Sequence, residues 1–317
     1  MGYDKKCVMT KILCFYLSLL GVQCSSTFIC ENYSDCQALL KFKSAIASDP
    51  DGHLQAWNEA NPFCNWTGVT CHEHVANRVI ALELANMRLQ GSLSPFLSNL
   101  SLLTNLSLPG NAFHGEIPAS FGELSELVHL NLTENKLQGI IPASLQGCQR
   151  LKFMYLDVNH LTGIPEEIGL MKNLTHFSIT YNIFTSSIPS FLSNLTELTR
   201  LELSFNYFRG KIPPELGALK KLEILYFHVN YLEGSIPSAL SNCTALREIS
   251  LIDNRLSGEI PFEWGSKLQN LQKLTLLDLS MNKLKGEVPK ELGMLDKLEI
   301  LYLHSNDLIS GSDNSSL

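Results

Sequence analysis

Apolar residues recur at fixed positions in a unit that runs from residue 79 almost to the end of the chain. The unit is clearest at 127–142, where LVHLNLTENKLQGIIP reads L-x-x-L-x-L-x-x-N-x-L-x-G-x-I-P. The position of its asparagine is taken in successive units by Met87, Asn111, Asn135, Asn159, Asn182, Asn206, Asn230, Asn254, Asn282 and Asn306. The intervals are 24, 24, 24, 23, 24, 24, 24, 28 and 24 residues. Alternation at L-x-L predicts a short strand in each unit, with leucines pointing inward and the residues between them outward.

A period of this length, with leucines at constant offsets, is the sequence signature of a leucine-rich-repeat solenoid, in which each unit stacks on its neighbours. The sequence therefore predicts an α/β fold with ten repeats over residues 76–310. We expect the strands to form a parallel sheet on the concave face. The run after each Ile-Pro pair is too short for a full helix, so 3-10 or irregular turns are expected on the convex side.

The recurrent asparagine predicts a polar ladder inside the solenoid. Its amide has two donors and an acceptor, so stacked copies can bind the backbone groups that the turns bury. Two repeats differ in length. The fourth lacks one residue at Gly163-Ile164-Pro165, and the eighth has four additional residues around 267–273, where we expect a loop.

Residues 25–75 are predicted to cap the first repeat, whose apolar end would otherwise be exposed. Ser34 or Asp35 can cap a helix over 34–48, and Asp-Pro-Asp-Gly at 49–52 ends it with residues typical of turns. Cys64 and Cys71 are close enough to form a disulfide in this cap. The pairing of Cys30 with Cys36 stays open, because so short a loop does not favour disulfide geometry.

The N-terminal residues 1–24 have the composition of a secretory signal peptide. Lys5, Lys6 and Lys11 precede an apolar run over 12–22, and small residues follow it. That run is about half the ~20 residues that a membrane-spanning helix needs. Secretion to the extracellular space or apoplast fits the nine Asn-x-Ser/Thr sequons, at Asn32, Asn65, Asn99, Asn105, Asn131, Asn173, Asn194, Asn242 and Asn314.

Two further cysteines, Cys148 and Cys243, occupy the same position of repeats that lie four units apart. At about 5 Å per stacked strand they are too distant to pair, so we expect buried thiols.

Composition disfavours several classes of function. The net charge of −7 and the lack of a Lys/Arg cluster in the repeats argue against a nucleic-acid partner. His72-Glu73-His74 is the most metal-like group, but it lacks the i, i+4 spacing of a helical zinc site. No arrangement of acid, base and nucleophile can be interpreted, so we expect no enzyme activity, cofactor or metal in this chain.

A concave sheet offers an extended surface for binding. Its outward positions in repeats four to seven gather aromatic and charged residues of the kind that dominate binding energies. The predicted ligand-binding residues are Phe153, Tyr155, Asp157, His176, Tyr181, Arg200, Glu202, Phe205, Tyr226 and His228. The alternative is that these aromatic residues only pack across neighbouring strands. A glycan at Asn131 would obstruct repeats two to four and direct a ligand toward repeats five to eight.

The stretches Ala38–Lys43 (ALLKFK), Trp66–Cys71 (WTGVTC) and Leu93–Leu100 (LSPFLSNL), with the repeated G-x-I-P, resemble plant leucine-rich-repeat receptor kinases and receptor-like proteins. The resemblance covers about residues 34–309 and is greatest for the subfamily of immune receptors for bacterial patterns. It implies a peptide or protein ligand bound outside the cell and a shorter leucine-rich-repeat co-receptor kinase. In that family a membrane helix and a Ser/Thr kinase follow the ectodomain, and no motif of either is found in this sequence.

The chain departs from the family at Phe63, where many relatives have a cysteine, so Cys30 is expected to lack its usual partner. Residues 311–317 are interpreted as a truncated tail, because no polar capping unit precedes them, and membrane attachment is expected only through a missing C-terminal anchor. Our main hypothesis is the ligand-recognition part of a plant receptor ectodomain in defence or developmental signalling. The alternatives are a soluble apoplastic inhibitor of the polygalacturonase-inhibitor type and a truncated product without a partner.

Overall fold

The computed structural model describes residue 30 and residues 34–75, 77–266 and 271–309. The predicted signal peptide, the sequons at Asn32 and Asn314, residues 267–270 of the additional segment and the tail 311–317 lie outside these ranges. Two helices are present in the described part, α1 (Ser34–Ser44) and α2 (Glu263–Ser266). No helix in these ranges is long and apolar enough to cross a membrane.

Twenty-one short strands occur in the described ranges. In chain order they are β1 (Ile46–Ser48), β2 (Val69–Cys71), β3 (Val79–Glu83), β4 (Gln90–Ser92), β5 (Asn105–Ser107), β6 (Ala112–Gly115), β7 (His129–Asn131), β8 (Lys136–Ile140), β9 (Phe153–Tyr155), β10 (His160–Gly163), β11 (His176–Ser178), β12 (Arg200–Glu202), β13 (Arg209–Gly210), β14 (Ile224–Tyr226), β15 (Tyr231–Gly234), β16 (Glu248–Ser250), β17 (Arg255–Gly258), β18 (Leu276–Asp278), β19 (Lys283–Glu287), β20 (Ile300–Tyr302) and β21 (Asp307–Ile309).

The L-x-L strands form one long sheet of eleven strands, in the order β2-β3-β5-β7-β9-β11-β12-β14-β16-β18-β20. Only the first pair, β2 with β3, is antiparallel; from β3 onward neighbours are parallel. On the opposite side each of repeats one to nine has a 3-10 turn, except that α2 takes this place in the eighth repeat. These turns are Pro95–Asn99, Ala119–Glu123, Ala143–Gly147, Glu166–Leu170, Ser190–Asn194, Pro214–Ala218, Ser238–Asn242 and Lys290–Met294. The predicted α/β leucine-rich-repeat solenoid is therefore confirmed.

The core between the long sheet and the turns is made of stacked leucines and phenylalanines. Leu130, Leu201 and Leu225 are fully buried, as the inward positions of L-x-L require. Phe184 and Phe208 of consecutive repeats stack with their ring centroids 5.5 Å apart. Burial of such side chains removes apolar area from water and is the main stabilising contribution.

The asparagine ladder is also confirmed. The side-chain Nδ2 of Asn182 donates to the carbonyls of Leu156, Ile179 and Thr180, at 3.0, 3.1 and 3.3 Å. Its Oδ1 accepts a hydrogen bond from the Leu161 amide at 2.9 Å. One side chain thus connects three segments of the backbone across two repeats.

The cap helix is shorter than the sequence predicted. It ends at Ser44 rather than at residue 48, and β1 pairs antiparallel with β4. Gly91 lies at the centre of this contact, since a Cβ there would collide with the backbone of Ala45 and Ile46. The end of the predicted helix therefore forms a strand instead, because it can hydrogen-bond to the exposed edge of β4.

The six cysteines divide as follows. Cys64 is joined to Cys71, and Cys30 to Cys36, with Cα atoms 5.5 Å apart in both pairs. The pairing of Cys30 with Cys36, which the sequence left open, is therefore present, and Cys36 replaces the usual partner that is absent at Phe63. Cys148 and Cys243 are buried thiols; burial raises their pKa values, to about 12 and about 11.

A second, smaller sheet runs beside the long one and was not predicted. It is formed by the N-x-L-x-G segments and falls into two parts, β1-β4-β6-β8-β10 and β13-β15-β17-β19-β21. The interruption lies in repeat five, where an isolated bridge between Ser187 and Arg209 replaces a strand. Elsewhere a glycine such as Gly139 or Gly210 turns the chain with positive φ, whereas repeat five has Ser186 and repeat four lacks a residue.

Candidate ligand-binding surface

Three rows of side chains cross the face of the long sheet that points away from the core. The rows are straight because the parallel strands are paired without register shifts in repeats three to ten. One row aligns Phe153, His176, Arg200, Ile224 and Glu248. The next aligns Tyr155, Ser178, Glu202, Tyr226 and Ser250. The third row is formed by the residues that lie two positions after the last residue of each strand, and it includes Asp157 and His228. Eight of the ten predicted residues therefore share one surface, which we call the concave surface.

Aromatic rings are concentrated at the N-terminal end of the concave surface. The Phe153 ring lies 4.9 Å from that of His176 and 5.8 Å from that of His129, and the rings of His129 and Tyr155 are 5.6 Å apart. The sequence did not predict His129, which occupies the same row as Phe153 in repeat three, because the prediction was confined to repeats four to seven. These rings pack against one another in tilted arrangements while remaining partly exposed, so packing and availability to a ligand coexist.

The middle of the concave surface carries paired charges. The Nη2 of Arg200 lies 2.7 Å from Oε1 of Glu202, two residues along the same strand. The Tyr226 hydroxyl donates a hydrogen bond to Glu248 in the next repeat. Burial, followed by this hydrogen bond, raises the pKa of Tyr226, so its hydroxyl stays protonated and available as a donor.

Asp157 is held rigidly beneath the surface. Its carboxylate accepts hydrogen bonds from the Ser178 hydroxyl and from the Thr180 amide, the latter at 2.7 Å. Burial raises its pKa although both hydrogen bonds act in the opposite direction. Because its carboxylate is used in these internal hydrogen bonds, Asp157 connects repeats four and five and is less available to a ligand.

The histidines of the concave surface are kept neutral near pH 7. Burial lowers the pKa values of His176 and His228 below the ordinary value of 6.5. Nδ1 of His228 shares a hydrogen bond of 2.9 Å with the Ser204 hydroxyl. A neutral imidazole offers one donor and one acceptor, which suits the recognition of an uncharged amide group.

The remaining two predicted residues, Tyr181 and Phe205, lie in the turns just before the ladder asparagines. Both have left-handed backbone conformations, with φ of 54° and 52°. Their rings stack on each other with centroids 3.9 Å apart, and Phe205 contacts His228 edge to face at 5.1 Å. They therefore lie on the rim of the concave surface and face sideways from it.

Two sequons lie on the concave surface near its N-terminal end. Asn131 is in β7, and its Oδ1 accepts a hydrogen bond from the Thr133 amide at 3.0 Å. Asn105 is in β5, where it donates to Glu83 at 2.8 Å. Because both sequons lie in the first three repeats, we still expect glycans to leave repeats five to eight accessible to a ligand.

The carboxylates of this surface already have partners. Glu202 is paired with Arg200, Glu248 accepts a hydrogen bond from Tyr226, and Asp157 accepts one from Ser178. In the described ranges no group of three or more His, Cys, Asp or Glu side chains could hold a metal ion.

Family models agree with this architecture. The model described as "Leucine-rich repeat region" matches residues 64–315, and the "Leucine rich repeat N-terminal domain" matches residues 32–72. The chain belongs to the leucine-rich-repeat family. The second match covers α1 and the Cys64–Cys71 disulfide of this leucine-rich-repeat protein.

Similar proteins are plant receptor kinases. The LRR receptor-like serine/threonine-protein kinase EFR of Arabidopsis thaliana is 46% identical over 88 residues, which are 27% of this chain and 8% of that kinase. The LRR ectodomain of the membrane receptor kinase GASSHO1/SCHENGEN3 from Arabidopsis thaliana, solved with CASPARIAN STRIP INTEGRITY FACTOR 2, has a TM-score of 0.83 at 35% identity, over 86% of this chain and 33% of that one.

A second similar structure contains three components. The Arabidopsis receptor kinase HAESA, in complex with the peptide hormone IDA and the co-receptor SERK1, has a TM-score of 0.63 at 28% identity over 87% of this chain and 54% of that chain. The matched stretches cover between 7% and 15% of the length of the curated relatives. The leucine-rich-repeat protein therefore has the fold of ligand-binding receptor ectodomains, not of catalytic domains.

Proposed function

We propose that this chain is the ligand-recognition module of a plant receptor-like kinase or receptor-like protein, and that it binds a peptide or protein ligand on the concave surface outside the cell. The observation that carries the proposal is the alignment of aromatic and charged side chains in rows across β9, β11, β12, β14 and β16. The similar ectodomain of HAESA has been solved with the peptide hormone IDA, which supports a peptide as the ligand.

The geometry of the rows favours an extended ligand. Adjacent strands lie about 4.8 Å apart, so repeats four to eight offer roughly 19 Å, the length of about six extended residues. Rigid rings at Phe153 and Tyr155 would hold apolar side chains, while Arg200, Tyr226 and His228 would bind polar groups. Immobile aromatic and arginine side chains of this kind carry most of the energy in protein interfaces.

The proposal also includes a co-receptor, a signalling role and a cellular location. A shorter leucine-rich-repeat co-receptor kinase would join once the ligand is bound, as the complex of HAESA with SERK1 suggests by similarity. Signalling in defence or development would then depend on segments of the receptor that lie beyond the ectodomain. The predicted sequons and signal peptide support a place in the secretory pathway and at the cell surface or in the apoplast.

A library of random octapeptides displayed on phage, selected on the purified glycosylated protein, would test the concave surface. Peptides that are selected should bind the Arg200→Ala/Tyr226→Ala double variant at least about tenfold more weakly, since each hot-spot residue contributes about 2 kcal/mol. Phe262→Ala serves as the matched control, because Phe262 is 57% exposed but lies on the convex side.

Circular dichroism and thermal unfolding should show that the double variant stays folded, because Arg200 and Tyr226 contribute little to the core. Equal affinity of the selected peptides for the double variant and for the wild type would refute the assignment. So would a selection that yields no peptide of measurable affinity.

A further inference from the structure

A second groove lies beside the concave surface, where the second sheet is interrupted. It has a volume of about 520 Å³ and is built from the residues that precede and follow the ladder asparagines of repeats four to eight. We call it the lateral groove and define it by Val158, Tyr181, Ile183, Phe205, Tyr207 and Tyr231. Sequence reasoning identified only Tyr181 and Phe205 of this set.

The lateral groove exposes apolar side chains to water. Val158 is 42%, Tyr181 51%, Ile183 39% and Tyr207 44% exposed, and these four come from consecutive repeats. Contiguous apolar surface of this kind on a soluble protein commonly marks a binding site.

The apolar side chains at the centre of the groove are not needed to form the turns that carry them. Val158, Tyr181 and Phe205 all have left-handed conformations, with φ of 52°, 54° and 52°. This region disfavours bulky and β-branched residues, and a glycine or asparagine would adopt it more easily. Repeat two has Gly110 at the equivalent position, with φ of 66°. The turn therefore does not require the apolar side chains that repeats four to six place there, since the same conformation is taken in other repeats by Glu134, Asp253 and Ser305.

The aromatic rings that line the groove pack against one another and against two arginines. Tyr181 stacks on Phe205, and the rings of Tyr207 and Tyr231 are 6.0 Å apart. Arg209 and Arg255 lie over the Tyr231 ring, at 5.6 and 4.6 Å from its centroid. Repeat five contributes no strand to the second sheet, and its segment is joined to repeats four and six by separate backbone hydrogen bonds, such as those from Ile183 to Leu161 at 3.1 Å and from Tyr207 to Phe184 at 2.9 Å.

One end of the groove carries a negative charge. Asp253, in the left-handed turn of repeat eight, lines the groove and is exposed. In the part of the chain that the structure describes, its carboxylate takes part in none of the ion pairs. His160 lines the opposite end. The groove thus combines an apolar, aromatic middle with an unengaged carboxylate at one end.

We propose that the lateral groove binds an extended peptide segment with apolar or proline side chains in its middle and an arginine or lysine that contacts Asp253. Aromatic-lined grooves bind extended, proline-rich segments because such segments lose little conformational entropy on binding. From repeat four to repeat eight the groove spans roughly 19 Å, which fits about six extended residues. This site meets the concave surface at the rim formed by Tyr181 and Phe205, and it does not include Arg200 or Tyr226.

The test uses an array of hexapeptides whose four central positions are Leu, Pro, Tyr or Val and whose last residue is Arg, Ser or Glu. The purified glycosylated protein should retain members that end in Arg. The Tyr181→Asn/Tyr207→Ser variant should bind them at least about tenfold more weakly, and Asp253→Lys should shift the preference from peptides ending in Arg to those ending in Glu. The matched control is Phe96→Ser, which removes an aromatic ring that is 47% exposed in repeat one.

Tyr181→Asn places in the left-handed turn a residue that tolerates it, so thermal unfolding should confirm that the double variant is folded. Arg200→Ala/Tyr226→Ala should retain the array peptides, which separates this groove from the concave surface. The proposal is overturned if no array peptide is retained, if the Tyr181/Tyr207 variant retains them as the wild type does, or if Asp253→Lys leaves the charge preference unchanged.

Discussion

At the residue scale, the asparagine of each repeat shows how much one side chain can determine. Nine of the ten repeats have it, and its identity alone allowed the ladder to be predicted. The left-handed residue just before it was not predicted, because Glu134, Val158, Tyr181 and Phe205 are not residue types that signal positive φ. The hydrogen bonds of the following asparagine, and not the residue's own preference, impose that conformation.

Asn182→Ala should lower the free energy of unfolding by about 3 kcal/mol, because it leaves a buried amide and several buried carbonyls without partners. Asn306→Ala is the matched control. Asn306 makes the same set of hydrogen bonds, to Leu279, Leu303 and His304, but lies nearer to solvent, so water can replace the side chain. Urea unfolding of both variants measures the difference, and equal losses would contradict the role of burial.

Val158→Asn should raise the free energy of unfolding by about 0.5–1 kcal/mol, because asparagine adopts the left-handed conformation with less strain than a β-branched residue. Val75→Asn is the control, since Val75 is 44% exposed but is not among the residues with positive φ. Thermal unfolding would reveal the gain. A destabilised Val158→Asn protein would show that the side chain is held by packing.

At the element scale, the short strands and 3-10 turns were predictable because their signals are local and recur. The end of the cap helix was not, since Ile46–Ser48 becomes β1 only through the edge of β4. The second sheet, its interruption in repeat five and the lateral groove beside it were missed for the same reason. Whether an N-x-L-x-G segment forms a strand depends on the register of the repeats on either side.

The junction between cap and repeats relies on a buried ion pair. Asp35, 1% exposed, accepts hydrogen bonds from Nε of Arg78 at 3.2 Å and from the Val79 amide at 2.8 Å. Asp35→Ala should lower the free energy of unfolding by about 3 kcal/mol, because it leaves the arginine and the amide without their acceptor.

Asp51→Ala is the matched control for this junction. It removes another aspartate–arginine pair, with Arg88, which lies on the surface and should contribute little. Guanidinium unfolding compares the two variants, and a similar loss in both would show that burial of the first pair adds nothing.

At the scale of the whole molecule, the solenoid buries each repeat between two neighbours. Leu225 in repeat seven is fully buried, whereas Leu301, at the equivalent position of repeat ten, is 40% exposed. The stability of a repeat array is a sum of contributions within repeats and between nearest neighbours. The inward leucine of the L-x-L motif therefore contributes more to the free energy of unfolding in a central repeat than in repeat ten.

Leu225→Ala should lower the free energy of unfolding by about 3 kcal/mol, the loss expected for a cavity in a packed core. Leu301→Ala should lower it by less than about 1 kcal/mol, because less apolar area is removed from burial. Chemical unfolding monitored by circular dichroism would measure both. Equal effects would contradict the dependence on neighbouring repeats.

By itself the sequence determined the solenoid, its inward leucines, the asparagine ladder and the rows of residues on the concave surface. Each of these follows from contacts that repeat at a fixed interval, so a one-dimensional period already contains them. Only the tertiary structure decided the end of α1, the partner of Cys30, the interruption of the second sheet and the lateral groove. These depend on contacts between segments whose spacing departs from the period, and such contacts exist only once neighbouring repeats are packed together.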